Sequence, residues 1–98
     1  MANKKTQNKQ QDKSFSVSWI DIAWDEYLSW QKDNPAIFDE INGLIEECRR
    51  NPFKGTGKPE PLKGNLTDFW SRRITMEHRL VYLPEVGGIY AVSCRYHY

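Results

Sequence analysis

Residues Gly57 to Tyr98, GKPEPLKGNLTDFWSRRITMEHRLVYLPEVGGIYAVSCRYHY, decide the fold. Three runs in this stretch are rich in aromatic and β-branched residues, a composition typical of strands. They are Phe69–Ile74, Arg79–Leu83 and Ile89–Cys94. Because only short segments separate the runs, the stretch predicts an antiparallel meander.

Two helices are predicted before this sheet. We expect Asp21 to cap the first, whose apolar face should lie in the core. Asn34 followed by Pro35 predicts the start of the second, and Asn51 its end. The apolar residues at helical spacing are Ala23, Trp24, Tyr27, Leu28 and Trp30 in the first helix, and Ile37, Phe38, Ile41, Leu44, Ile45 and Cys48 in the second.

The segments around these elements complete the predicted fold. Phe15–Trp19 alternates apolar residues with serines and predicts a short half-buried strand, whereas Phe53–Asn65, rich in Gly and Pro, predicts a loop. Residues 1–14 hold too few apolar side chains to fold and predict a disordered basic tail. The fold class is therefore α+β, one domain over residues 15–98, with two N-terminal helices packed on a small antiparallel sheet.

Charge is unevenly distributed along the 98 residues, although the net charge is only +1. Residues 1–14 carry +3, residues 15–47 carry −7 and residues 48–98 carry +5. A basic C-terminal half beside an acidic scaffold is typical of a protein that meets a polyanion on one face. The alternative is that the helices simply carry solvated acids.

Several classes of protein are disfavoured by the sequence. No apolar run approaches the length of a membrane span, and no apolar segment follows the N-terminal lysines, so we expect a cytoplasmic protein without membrane contact. Cys48 and Cys94 have no ligand-like spacing to each other or to His78 and His97. We expect neither a metal nor another cofactor.

Three residues of the last third suit acid–base chemistry on a phosphate. Glu60 lies between Pro59 and Pro61, which favour an extended backbone and would present a general base, although a plain surface glutamate fits the same pattern. Arg79, in phase with apolar strand residues, needs an anion, either an internal carboxylate or a substrate phosphate. His97 is the penultimate residue, where a histidine is usually just exposed.

The aromatic residues near the C-terminus favour one kind of nucleic acid. Tyrosines are platforms on which unpaired bases stack, and none of the predicted helices has the basic surface that would enter a major groove. The pattern therefore indicates single-stranded RNA rather than duplex DNA.

Several motifs in order carry a resemblance to a known family. They are Asn51-Pro52-Phe53, Gly57-Lys58-Pro59-Glu60-Pro61-Leu62-Lys63, Phe69-Trp70-Ser71-Arg72-Arg73-Ile74, Glu77-His78-Arg79-Leu80-Val81-Tyr82 and Cys94-Arg95-Tyr96-His97-Tyr98. With them, the chain from Val17 to Tyr98 resembles the YoeB/Txe toxins of bacterial toxin–antitoxin modules. The basic tail, Gly43 and Gly87-Gly88 depart from the family pattern.

The resemblance implies both a fold and an activity. The fold would be RelE-like, of the microbial-ribonuclease type, and the activity a metal-independent endoribonuclease that cuts mRNA in the A site of the 70S ribosome and is neutralised by a cognate antitoxin. It leaves a homodimer open. The implied catalytic residues are Glu60, Arg79 and His97, and the implied RNA contacts are Tyr98, Lys63, Arg73, Lys58 and Arg95.

In the mechanism that we expect, Glu60 takes the proton of a ribose 2′-hydroxyl, Arg79 stabilises the phosphorane and His97 protonates the leaving 5′-oxygen. Two alternatives stay open. One is a non-catalytic module of the same fold that binds RNA or a partner, and the other is a ribonuclease that acts on free RNA.

Overall fold

The computed structural model describes residues 14–96, in which two helices pack on a five-stranded sheet. The elements, in chain order, are β1 (Ser16–Trp19), α1 (Asp21–Asp33), α2 (Pro35–Arg50), β2 (Glu60–Pro61), a 3₁₀ turn (Gly64–Leu66), β3 (Trp70–Arg73), β4 (Arg79–Glu85) and β5 (Gly88–Ser93). The predicted α+β class is confirmed. Apart from Ser14, the predicted basic tail lies outside the described residues.

The sheet contains the predicted meander and two additional strands. Its order is β1-β5-β4-β3-β2, with β3, β4 and β5 antiparallel as predicted. The loop prediction for Phe53–Asn65 is wrong at β2, because Glu60 and Pro61 pair with Ser71 and Trp70 at the sheet edge. Proline is tolerated there because an edge strand need not donate every N–H to a neighbour.

At the other edge, β1 runs parallel to β5, so the sheet is mostly rather than wholly antiparallel. Val17 lies opposite Ile89, and the Ser16 N–H donates to the Gly87 carbonyl at 2.9 Å. The backbones approach so closely at Gly88 that a Cβ there would collide with the Ser16 carbonyl oxygen. Only glycine fits this position without a backbone shift.

The two helix starts differ in how well they were predicted. The N-cap of α1 is Ile20 rather than Asp21, and no side chain caps the helix. Ile20 continues the line of β1, since its N–H donates to the Ala91 carbonyl at 3.0 Å, while its own carbonyl accepts the Trp24 N–H at 3.0 Å. Helix α2 starts as predicted, with Asn34 as N-cap and Pro35 at the first helical position.

The core lies between the helices and one face of the sheet. Its buried members are Trp30, Ile41, Leu44, Cys48, Ile74, Leu80, Tyr82, Ile89, Ala91 and Cys94. The prediction that the whole apolar face of α1 is core is wrong, because Trp24 and Leu28 are 43% and 42% exposed. The helix rests on the sheet along a narrower stripe that includes Ala23 and Trp30. Neither described helix is long and apolar enough to cross a membrane.

Candidate functional site

Glu60 and Arg79 come together in a cleft on the sheet face opposite the helices. The cleft has a volume of about 150 Å³ and is lined by Glu60, Leu62, Ser71, Arg79 and Val81. Strand β3 joins the two sides, because Ser71 lies opposite Glu60 in β2 and opposite Val81 in β4. Partner residues across a sheet share a face, so this register turns all three side chains towards one space.

An ion pair spans the cleft. Arg79 Nη1 lies 3.8 Å from Glu60 Oε2 and 3.5 Å from Ser71 Oγ. At 3.8 Å the guanidinium and carboxylate attract each other without a good hydrogen bond. The Glu60 side chain is 53% exposed and the Arg79 side chain 23%, so the carboxylate faces solvent while the guanidinium lies deeper in the cleft. Solvent screening makes such a pair a weak stabiliser of the fold.

A second arginine lies beside this pair. Arg73 is the cross-strand partner of Arg79, so the two side chains leave the same face of the sheet. The Arg73 N–H donates to the Gly57 carbonyl at 2.6 Å, which draws the segment before β2 against β3. Like charges directly opposite each other destabilise a sheet, and a negative group between them offsets that cost.

Main-chain hydrogen bonds hold the C-terminal segment beside Arg79. The Arg79 N–H donates to the Tyr96 carbonyl at 3.0 Å, and the Tyr96 N–H donates to His78 Nδ1 at 2.7 Å. Both polar main-chain groups of Tyr96 are therefore bound at the start of β4. His97 and Tyr98, which carry two of the predicted roles, lie outside the described residues.

The other predicted RNA contacts lie in two different places. Lys58 and Lys63 are exposed and flank β2 on either side. Arg95 does not join the cleft, because its guanidinium bonds to Ser29 at 2.7 Å and to Asp33 at 3.1 Å on α1. It also stacks over the Trp30 ring, 3.9 Å from the ring centroid. The RNA roles of these residues stay predictions.

The sequence did not predict the structural role of Arg72. It is fully buried on the helix side of β3 and binds the loop that leads to β2. Period-two alternation could have indicated its side, since it alternates with Ser71 and Arg73, but not its partners. Its guanidinium donates to the carbonyls of Asn51, Lys54 and Thr56, to the Tyr82 hydroxyl and to Glu47.

The same loop is held from α2 by Glu47. Its carboxylate accepts the Thr56 N–H at 2.8 Å and the Thr56 hydroxyl at 2.6 Å. These bonds, with the charge of Arg72, lower the pKa of Glu47. The tyrosine hydroxyl that Arg72 meets is itself anchored, because Tyr82 donates to the Pro52 carbonyl at 2.6 Å.

Within residues 14–96, no three His, Cys, Asp or Glu side chains are grouped so that they could hold a metal ion. The chemical groups that the cleft offers are instead a carboxylate, a guanidinium and a hydroxyl. Such a set can accept a proton and bind an anion at neighbouring positions.

Two helices packed on a mostly antiparallel sheet are the RelE-like fold that is found in toxins of bacterial toxin–antitoxin systems. The chain belongs to the family of YoeB-like toxins of bacterial type II toxin–antitoxin systems, whose family model matches residues 19–98. The predicted family is therefore confirmed.

Relatives and solved structures agree with this assignment. The toxin YoeB of Escherichia coli (strain K12) is 55% identical over 80 residues, which cover 82% of this chain and 95% of that protein. A YoeB dimer from Staphylococcus aureus has a TM-score of 0.81 at 40% identity, over 86% of this chain and 98% of the other. A heterotetrameric YoeB–YefM toxin–antitoxin complex from Staphylococcus aureus has a TM-score of 0.80 at 40% identity, with the same coverage.

Proposed function

We propose that this protein is a ribosome-dependent endoribonuclease that cuts mRNA in the A site of the 70S ribosome and so inhibits translation in the cytoplasm. The observation that carries the proposal is the pairing of Glu60 with Arg79 at 3.8 Å in an open cleft. Membership of the YoeB-like toxin family supports the toxic role.

The proposed reaction is a transesterification that needs no metal, because side chains supply the base, the cation and the acid. Glu60 removes the proton of a ribose 2′-hydroxyl, and the oxygen attacks the adjacent phosphorus. Arg79 offsets the negative charge that builds up on the phosphorane, and His97 protonates the departing 5′-oxygen. The products are a 2′,3′-cyclic phosphate and a free 5′-hydroxyl.

The charges around the cleft support a phosphate as the bound group. Arg73 and Arg79 lie opposite each other on one face, and within residues 14–96 the carboxylate that pairs with Arg79 is Glu60, at 3.8 Å. A phosphate oxygen placed between the arginines relieves their repulsion and accepts charge-assisted hydrogen bonds. Lys58 and Lys63 on either side of β2 extend the basic surface along which an RNA backbone would lie.

Protein partners are proposed by similarity to the Staphylococcus aureus structures, one a toxin–antitoxin heterotetramer and the other a toxin dimer. We propose that a cognate antitoxin binds and neutralises this chain. A homodimer is the second proposed assembly.

The test is primer extension on one message, either bound to programmed ribosomes or free. Wild-type protein should cut the bound message only. Glu60→Gln and His97→Gln should each slow cleavage by about 10²- to 10⁴-fold, the usual contribution of one placed proton-transfer group. Arg79→Lys should also lose most activity, since lysine cannot make the two-pronged phosphate contact.

Glu85→Gln is the matched control, because it removes an exposed carboxylate from the other end of β4 and should leave the rate unchanged. A message with deoxyribose at the cleaved position should resist cutting, and equally fast cutting would rule out the 2′-hydroxyl step. Equal cutting of free message would indicate a ribonuclease that does not require the ribosome. Binding without cutting would indicate a non-catalytic module.

A further inference from the structure

His78 is a buried histidine that the proposed reaction does not use. It lies just before β4 and is 7% exposed. Its ring packs between the side chains of Trp30 and Tyr96, with centroid distances of 4.7 Å and 5.1 Å. Its own N–H donates to Thr75 Oγ1 at 3.1 Å, and its carbonyl accepts the Ile74 N–H at 2.8 Å, so the residue is fixed through backbone and side chain.

One ring atom of His78 has a defined task. Nδ1 accepts the Tyr96 N–H at 2.7 Å, so this nitrogen must carry a lone pair. The proton of the neutral ring then belongs on Nε2, which lies 3.7 Å from Glu77 Oε1. The hydrogen-bond network thus selects a single tautomer.

The residue that His78 holds is in an unusual conformation. Tyr96 has φ +65°, the left-handed region, which non-glycine residues adopt only when the surroundings enforce it. Its N–H is bound by His78 and its carbonyl by the N–H of Arg79. Two consecutive residues, His78 and Arg79, therefore hold both polar main-chain groups of Tyr96, and Arg79 also carries the guanidinium of the cleft.

We infer that His78 is a positioning residue: through Nδ1 it fixes the main chain of Tyr96 beside Arg79, and the proposed activity of the next residue, His97, depends on this hydrogen bond. This inference rests on the proposed function. The His78 ring has two separable roles. Packing against Trp30 needs only an aromatic ring, whereas orienting Tyr96 needs a hydrogen-bond acceptor at the position of Nδ1.

Two variants of the full chain separate these roles. His78→Phe keeps a ring and removes the acceptor, whereas His78→Asn removes the ring and keeps an acceptor oxygen at the same distance from Cβ as Nδ1. Three quantities are measured for each variant: hydrogen exchange of the Tyr96 and Arg79 amides, melting temperature, and kcat and KM for cleavage on ribosomes. Glu77→Gln, which alters the charge near Nε2 alone, is the matched control.

A positioning role predicts that activity follows the acceptor rather than stability. His78→Phe should melt near the wild-type temperature, exchange the Tyr96 amide at least about tenfold faster, and lose about 10²-fold in kcat at unchanged KM, the scale expected for a misplaced reacting group. His78→Asn should melt lower, yet cleave faster than the phenylalanine variant and keep the Tyr96 amide protected. Glu77→Gln should behave as wild type.

The inference is overturned if kcat of the two variants follows their melting temperatures, or if the Tyr96 amide stays protected in His78→Phe. If that variant does not fold, loss of Tyr96 protection in His78→Asn overturns it instead. If wild-type protein cuts no message, the proposed function fails, and amide exchange alone then decides whether His78 holds Tyr96.

Discussion

Replacing Arg72 with methionine should strongly destabilise the fold. Arg72 is fully buried, and its guanidinium is the common partner of a loop that wraps around it. Methionine fills the volume of the aliphatic stem but donates no hydrogen bond. The donor–acceptor distances that would be lost are 2.7 Å to Asn51, 2.8 Å to Lys54, 3.1 Å to Thr56, 3.1 Å to Tyr82 and 3.4 Å to Glu47.

The size of the stability loss can be estimated from the hydrogen bonds that the Arg72 guanidinium makes. A hydrogen bond to a charged group contributes about 1.5–3 kcal/mol, but part of this is recovered because the exposed loop residues Lys54 and Thr56 can rehydrate their carbonyls. Removing one partner of a buried ionic network usually costs about 3–5 kcal/mol. We expect the free energy of unfolding to fall by about that amount, a fifth or more of the roughly 5–15 kcal/mol typical of a chain this long.

Urea unfolding followed by tryptophan fluorescence measures the change, in a His97→Gln background so that the proposed toxicity does not limit expression. Arg49→Met is the control, because the Arg49–Glu46 pair is exposed and solvent screening leaves it little effect on stability. A loss below about 1 kcal/mol for Arg72→Met, or one equal to that of the control, would refute the view that Arg72 organises the loop.

Three further changes should alter stability. Gly43→Ala should raise the free energy of unfolding in urea by about 0.5–1 kcal/mol, because glycine costs that much inside a helix and a Cβ there meets nothing within 4 Å. Gly88→Ala should lower the melting temperature by several degrees, since its Cβ would strike the Ser16 carbonyl and part β1 from β5. Burial raises the pKa of Cys94 from 9.0 to about 12 and also raises that of Cys48. The stabilisation that comes from keeping these thiols buried and uncharged is therefore complete below pH 9 and declines above it. For Cys94 the free energy of unfolding should fall by up to about 1.4 kcal/mol per pH unit, which urea midpoints at pH 8 and pH 10 would show.

The sequence predicted those parts of the fold that repeat locally. Both helices and the three strands of the meander have clear periodicity, and each formed near its predicted bounds. A strand of two residues such as Glu60–Pro61 is too short to show an alternating pattern of apolar and polar residues. The parallel pairing of β1 with β5 depends on packing between segments that are distant in sequence. The N-cap of α1 failed for a similar reason, because the hydrogen bond of Ile20 to Ala91 outweighs the local preference for Asp21.

The sequence indicated which residue types form the candidate site. It did not indicate which buried residues hold the neighbouring loop and C-terminal segment in place. The alternation of β4 predicted that Arg79 needs an anion, and in the structure the Glu60 carboxylate lies 3.8 Å from its guanidinium. No pattern distinguishes a buried arginine that binds carbonyls from one that faces substrate, so Arg72 was missed beside Arg73. His78 was not predicted to have a structural role. That role depends on a hydrogen bond from the Tyr96 N–H, which joins segments distant in sequence.

The pairing of β1 with β5 raises the contact order of this protein, since Val17 and Ile89 are far apart in the sequence. Contacts so distant in sequence slow folding, because a long loop must close before they form. They also fix when folding can finish during synthesis. Strand β5, which ends at Ser93, lies between β1 and β4, so the sheet of a nascent chain is incomplete until these residues have left the ribosome.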